Sequence, residues 1–169
     1  MQNKMYYNLS TLTQMDIYLF KQGSYTKMYE KFGAHPMTHK GKKGVHFAVW
    51  APNAKSVCVR GDFNDYKIDA HPLQLRSDDS GIWEGFIEDI AIGLTYKYHI
   101  VSLFHNIVHE KSDPFAFYSE VAPKSASRIY ELDNYKWNDK KWMEKRYKNN
   151  ACDSPISVYE MHVGSWRRN

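Results

Sequence analysis

The chain has 169 residues, with 23 Lys plus Arg against 19 Asp plus Glu and a net charge of +4. At roughly 100–200 residues per domain this is one domain with small appendages, too short for a complete α/β barrel of about 250 residues. Hydrophobic residues at 43% and charged ones at 25% are ordinary globular usage, which excludes disorder and fibrous repeats. The 15% aromatic content is high, and suits an aromatic-packed β core or stacking on flat-faced ligands such as sugars and bases.

No run approaches the ~18 apolar residues of a membrane span, and residues 1–14 lack the basic-then-apolar order of a secretory signal. A cytoplasmic protein with no membrane partner is expected. Cys58 and Cys152 belong to no C-x-x-C pair and are expected to be reduced and structural.

In chain order, residues 11–22 read as a short amphipathic helix. Leu12, Met15 and Leu19 share a face, Thr11 and Gln14 have capping-box spacing, and Gly23 stands at the left-handed C-cap. A turn or two over residues 25–32 ends at Gly33. After Pro36 the period becomes alternating: Val45, Phe47 and Val49 oppose His46, Ala48 and Trp50, and residues 51–53 break the run.

Residues 56–60 are a second strand, followed by the turn-rich 61–66. Leu73 and Leu75 suggest a short third strand. After the turn at 78–81, residues 83–88 and 95–102 alternate again. Residues 113–117 read as irregular, 127–132 as a last strand, and 138–147 as a basic helix with Trp142 inward. Short strands with turns every ten or so residues predict a β-sandwich, with Phe47, Trp50, Trp83 and Tyr98 in its core. Residues 156–163 form a strong strand signal with no sequential neighbour to pair with. Natural proteins avoid such an edge, so a longer polypeptide is expected.

Candidate chemistry is sparse. The carboxylate pairs Asp78/Asp79 and Glu88/Asp89 lie in a turn and at a strand end, where solvated charges are the expectation; opposed catalytic carboxylates sit on separate elements. There is no G-x-S-x-G nucleophile elbow and no phosphate loop at residues 41–44. His105 and His109 have i, i+4 spacing, but on a hairpin this does not bring ligands together, so no metal site is assigned. Lys140, Lys141, Lys145, Arg146 and Lys148 with Trp142 make a basic stretch, read as a solvated helix face; a charge of +4 argues against nucleic acid. The aromatics are the stronger lead. A sugar ring has an apolar C–H face, and an aromatic beside Asn, Lys or Asp makes a glucan platform. Tyr66, in a turn after Asn64 and Asp65, has that setting.

Residues 29–36 (YEKFGAHP), 45–54 (VHFAVWAPNA), 61–64 (GDFN), 81–84 (GIWE), 96–98 (YKY), 111–117 (KSDPFAF) and 157–168 (SVYEMHVGSWRR) resemble, in order and spacing, the N-terminal part of bacterial glycogen branching enzymes. The resemblance runs from about residue 19 to 168; its first and last motifs are the specific ones. It implies a mainly β fold: an immunoglobulin-like, early-set sandwich of carbohydrate-binding module family 48, after a short helical segment and before the first strand of a (β/α)8 barrel. The implied domains are 1–33, helical; 34–133, the sandwich; 134–154, a connecting helix and linker; and 155–169, the start of the barrel.

The implied reaction cuts an α-1,4 bond, holds the segment on an Asp and passes it to a 6-hydroxyl. The carboxylates that do this sit on later barrel strands, so no catalytic residue is assigned in this chain, and neither Glu160 nor His162 is promoted to that role. No cofactor is implied. The implied partners are an α-glucan and the rest of the same polypeptide. The binding residues are Tyr66, where glucan-gripping modules of the family carry a Trp, Lys97, matching a lysine that contacts a glucose hydroxyl, and Asn64 of the GDFN motif. A second family Trp is replaced by the stretch His105-Asn106-Ile107-Val108. A stand-alone glycogen-binding module is the alternative; the strand at 156–163 argues against it.

Overall fold

In the computed structural model, which describes residues 3–133 and 135–166, alternation along β3 (Lys42–Trp50) sends Val45, Phe47 and Val49 into a core shared with Val57 and Val59 of β4 (Ala54–Gly61). Trp83 and Ile87 of β6 (Ile82–Glu88) and Tyr96 and Tyr98 of β7 (Thr95–Ser102) close that core. Residues of both sheets thus bury one face each, the arrangement of a β-sandwich.

The first sheet runs β1 (Met5–Tyr6), β6, β3, β2 (Gly33–His39), with β5 (Gln74–Leu75) also on β6. The second runs β4, β7, β10 (Ser127–Arg128), β9 (Tyr118–Ser119), with β8 (Val108–Lys111) also on β7. All these pairs are antiparallel. β2 holds Pro36, whose missing N–H a sheet tolerates only at an edge, and β2 is the edge. The strand expected at 127–132 is short; Ile129 beyond it is still wholly buried.

Chain continuity supplies a cover for the outer face of the first sheet. Helix α1 (Gln14–Lys21) starts at Thr13, not Thr11: Asp16 accepts from the Thr13 N–H at 2.8 Å and Thr13 Oγ1 accepts from the Asp16 N–H. Leu12 before the cap and Ile17 inside the helix are buried in one cluster, the hydrophobic-staple placement. Met15, expected on the inner face, is 61% exposed; Ile17 and Phe20 face inward instead. Gly23, at φ 69°, ends the helix with N–H bonds from Gly23 to Phe20 and from Ser24 to Leu19, a Schellman closure.

A buried carboxylate stands inside the sandwich. Asp113 accepts from Tyr96 Oη at 2.7 Å, Tyr98 Oη at 2.9 Å and the Phe115 N–H at 2.8 Å. Burial raises its pKa, and these donors oppose that. Cys58 is buried and Cys152 exposed, both free thiols, and burial pushes the Cys58 thiol up to about 11.

Two compact units divide the chain, Met1–Leu132 and Asp133–Asn169. The second contains helices α2 (Lys140–Asn149) and α3 (Val163–Trp166). Two expectations are corrected in this unit. Residues 156–162 form no strand, and Ile156, Val158, Tyr159 and Met161 are exposed. A strand's backbone groups need a neighbouring strand, and among the described residues this unit has none. Trp142 is also exposed, because α2 buries no residue. Arg167 and Arg168 of the last motif lie outside the described residues.

Candidate glucan-binding site

At the end of β4 the chain must turn against the start of β7, and Gly61 makes that approach possible: a Cβ there would lie 2.2 Å from the Thr95 carbonyl oxygen. A 3-10 turn, Asp62–Asn64, follows. Asp62 Oδ2 accepts from the Thr95 N–H at 2.7 Å and from Thr95 Oγ1 at 2.9 Å. Asp65 and Tyr66 then take left-handed φ of 52° and 54°, which turns the Tyr66 ring back across β7. Its Oη lies 2.6 Å from Thr95 Oγ1. Burial, first of all, raises the Tyr66 pKa, so the phenol stays neutral.

Lys97 lies on the outward face of β7, opposite Arg60 of β4, and donates to Ser125 Oγ at 2.9 Å. Tyr66 and Lys97 line one shallow depression of about 420 Å3 together with Arg60, Glu110, Glu120 and Lys124, with Ser125 and Ala126 completing the lining. Arg60 Nη1 pairs with Glu110 Oε1 at 2.5 Å, Lys124 Nζ lies 3.7 Å from Glu120 Oε1, and Glu120 Oε2 accepts from the Ala126 N–H at 3.2 Å. A half-buried aromatic ring ringed by donors and acceptors of both signs suits a neutral polyol: its C–H face packs on the ring and its hydroxyls find partners.

Asn64 is corrected. It is buried and works underneath the turn: Oδ1 accepts from the Gly61 N–H at 2.9 Å, and Nδ2 donates to the Val59 carbonyl at 3.0 Å and to His71 Nδ1 at 2.8 Å. His71 Nε2 then donates to the Asn3 carbonyl at 2.9 Å. Burial lowers the His71 pKa, which fits this neutral tautomer. Asn64 therefore shapes the Tyr66 turn but offers no free group to a ligand. Sequence reading missed Arg60, Glu110, Glu120 and Lys124. Alternation from Val59 does place Arg60 outward, yet only the β4–β7–β8 register brings it beside Lys97 and Glu110.

Trp50 is the second correction. Expected in the core, it is 55% exposed, its Nε1 donating to the Ser80 carbonyl at 3.1 Å. It borders an apolar cavity of about 470 Å3 with Phe20, Tyr25, Met28, Phe32 and Phe115. Alternation on β3 sends Trp50 to the face opposite Val49, where Phe20 of α1 meets its ring edge-on at 5.9 Å between centroids but leaves the rest of the indole open. His105 and His109 lie across the β7–β8 hairpin; among the described residues no three His, Cys, Asp or Glu side chains gather as a metal set. Among them, too, no helix is long and apolar enough to cross a membrane.

Sandwich and site define a class. Residues 31–116 match the model of carbohydrate-binding module 48, the isoamylase N-terminal domain, and the chain belongs to this family. Among curated proteins it is 46% identical over 155 residues to the 1,4-alpha-glucan branching enzyme GlgB of Synechocystis sp., a match covering 92% of this chain and 20% of that protein. With the enzyme of the same name from Aquifex aeolicus it shares 47% over 159 residues, covering 94% and 25%. The chain thus spans a fifth to a quarter of the length of these relatives. A Klebsiella pneumoniae pullulanase structure complexed with maltotriose aligns with 62% of this chain and 10% of its own, at 28% identity and a TM-score of 0.49.

Proposed function

We propose that this chain is the α-glucan-binding and positioning part of a 1,4-alpha-glucan branching enzyme, acting in the cytoplasm. The whole enzyme would cut an α-1,4-glucan and transfer the segment to a 6-hydroxyl, on carboxylates that the family resemblance puts on later strands of a (β/α)8 barrel. The module would hold the glucan on Tyr66, with Lys97 at a hydroxyl, and orient it toward that barrel of the same polypeptide. The observation that carries the reading is the convergence of Tyr66 and Lys97, 31 positions apart by 97 − 66, on one polar-rimmed depression.

The branching-enzyme likeness also favours this over a stand-alone module. It covers 155 residues, so it extends well outside residues 31–116 that define the binding module. Calorimetric titration with a linear malto-oligosaccharide tests the reading. Saturable binding is expected, weakened at least about tenfold, or 1.4 kcal/mol, in Tyr66→Ala and less in Lys97→Ala. No binding by the unmutated chain overturns the platform. Glucan branching by the purified chain alone would overturn the assignment of chemistry to other residues.

A further inference from the structure

The Tyr66 platform stands on a backbone conformation that its residues do not favour. Asp65 and Tyr66 are consecutive non-glycine residues at left-handed φ, and for a bulky side chain this region is an outlier that surrounding structure must impose. Three bonds act on Tyr66. Its N–H donates to the Gly61 carbonyl at 3.0 Å, closing the turn locally. Its Oη meets Thr95 at the far end of the ring. Its carbonyl accepts from Arg60 Nε at 2.5 Å, a tie that fixes the strained peptide from outside the turn.

Arg60 is itself fixed. Its side chain is 19% exposed, and its Nη1 donates to Glu110 Oε1 at 2.5 Å. The same Glu110 oxygen accepts from His99 Nδ1 at 2.6 Å. Arg60, His99 and Glu110 belong to β4, β7 and β8, so one guanidinium ties the turn to three strands of the second sheet. Only a planar fork donates in two such directions at fixed angles; a lysine ammonium is a flexible point donor.

We infer that Arg60 is the positioning residue of the Tyr66 platform: it locks the Tyr66 peptide in the left-handed conformation and is braced by Glu110 and His99. The inference rests on the reading of Tyr66 as the glucan-stacking ring. Arg60 is assigned no ligand contact; its effect on binding passes through the angle of the ring relative to Lys97.

The test uses the whole chain with Arg60→Ala, Arg60→Lys, Glu110→Gln and Tyr66→Ala, and three readouts: malto-oligosaccharide affinity, thermal unfolding, and the three-bond HN–Hα coupling of Tyr66. Arg60→Ala should lose at least about tenfold in affinity, approaching Tyr66→Ala, while its midpoint stays within about 4 °C of the parent. Its Tyr66 coupling should move off the left-handed value. Arg60→Lys should restore folding and charge but only part of the affinity, and Glu110→Gln should fall between it and the parent. Unchanged coupling in Arg60→Ala overturns the inference, even if affinity falls, because Arg60 would then act by direct contact. Parent affinity in Arg60→Ala also overturns it. If Arg60→Ala does not fold, the coupling in Arg60→Lys and Glu110→Gln decides by the same criterion. Should the parent bind no glucan, the platform reading fails while the coupling still tests what holds Tyr66.

Discussion

The two sheets of the sandwich share one core but use their outer faces in opposite ways. On the first sheet the outer face is sealed except at Trp50: His46, Ala48, Ile82 and Phe86 are wholly buried and Glu84 nearly so. Tyr6 packs beside Phe86, Ser10 donates to Glu84 at 2.8 Å, and Leu12 and Ile17 cluster with Ile82. On the second sheet Arg60, Lys97 and Glu110 remain partly open and border the Tyr66 depression. The difference teaches that a covered face becomes a second core, whereas an uncovered face keeps its charged side chains at the surface, paired with one another and with hydroxyls.

The largest expected effect comes from breaking the sealed side. Phe86→Ala, which empties a wholly buried site, should cost about 3–5 kcal/mol in denaturant unfolding, the transfer term plus an unfilled cavity. Acid should attack the same face. Burial lowers the His46 pKa to about 4 from an unfolded value near 6.5, so between these pH values the unfolded chain binds the extra proton. Stability should therefore fall as pH drops from about 6.5 to about 4, by up to ~3 kcal/mol at 1.36 kcal/mol per unit. Glu84, 3.7 Å from His46 and itself held by Arg76 at 2.7 Å, has a raised pKa because of its burial and works with the opposite sign. His46→Leu should flatten the profile measured by unfolding at several pH values.

Between the faces, Tyr98→Phe removes one of the two phenol donors to Asp113 while Tyr96 remains, and should cost about 1–2 kcal/mol by thermal unfolding. On the open side, Tyr66→Ala and Lys97→Ala should change stability by under about 1 kcal/mol while weakening glucan binding, which sharpens the contrast between a face that stabilises and a face that binds. Smallest of all, Val158→Ala, at an 82% exposed position, should stay within about 0.5 kcal/mol.

The strands of the core were legible because both their faces obey simple patterning. Val45, Phe47 and Val49, Val57 and Val59, and Tyr96 and Tyr98 alternate as expected and meet in one core. The edges were less so. β1 covers two residues, and β2 mixes His35, Pro36, Thr38 and His39, which breaks the apolar alternation, and its proline suits an edge position. Hydrogen exchange should protect the Val45–Val49 amides, paired on both sides by β2 and β6, and leave residues 158–162 open, since they have no ladder.

Sequence alone determined the sandwich, the Gly23 closure, the turn that carries Tyr66 and the resemblance that puts the chain among glucan-binding modules, because local propensity and alternation act within a few residues. Tertiary structure alone decided that Asn64 is spent beneath the turn, that Trp50 faces out, and that Arg60, Lys97 and Glu110 meet. Register, cover and strand pairing depend on residues far apart in the chain: the Arg60–Glu110 pair spans 50 positions and the Ser10–Glu84 bond 74. No local pattern encodes which distant side chain will complete a hydrogen bond.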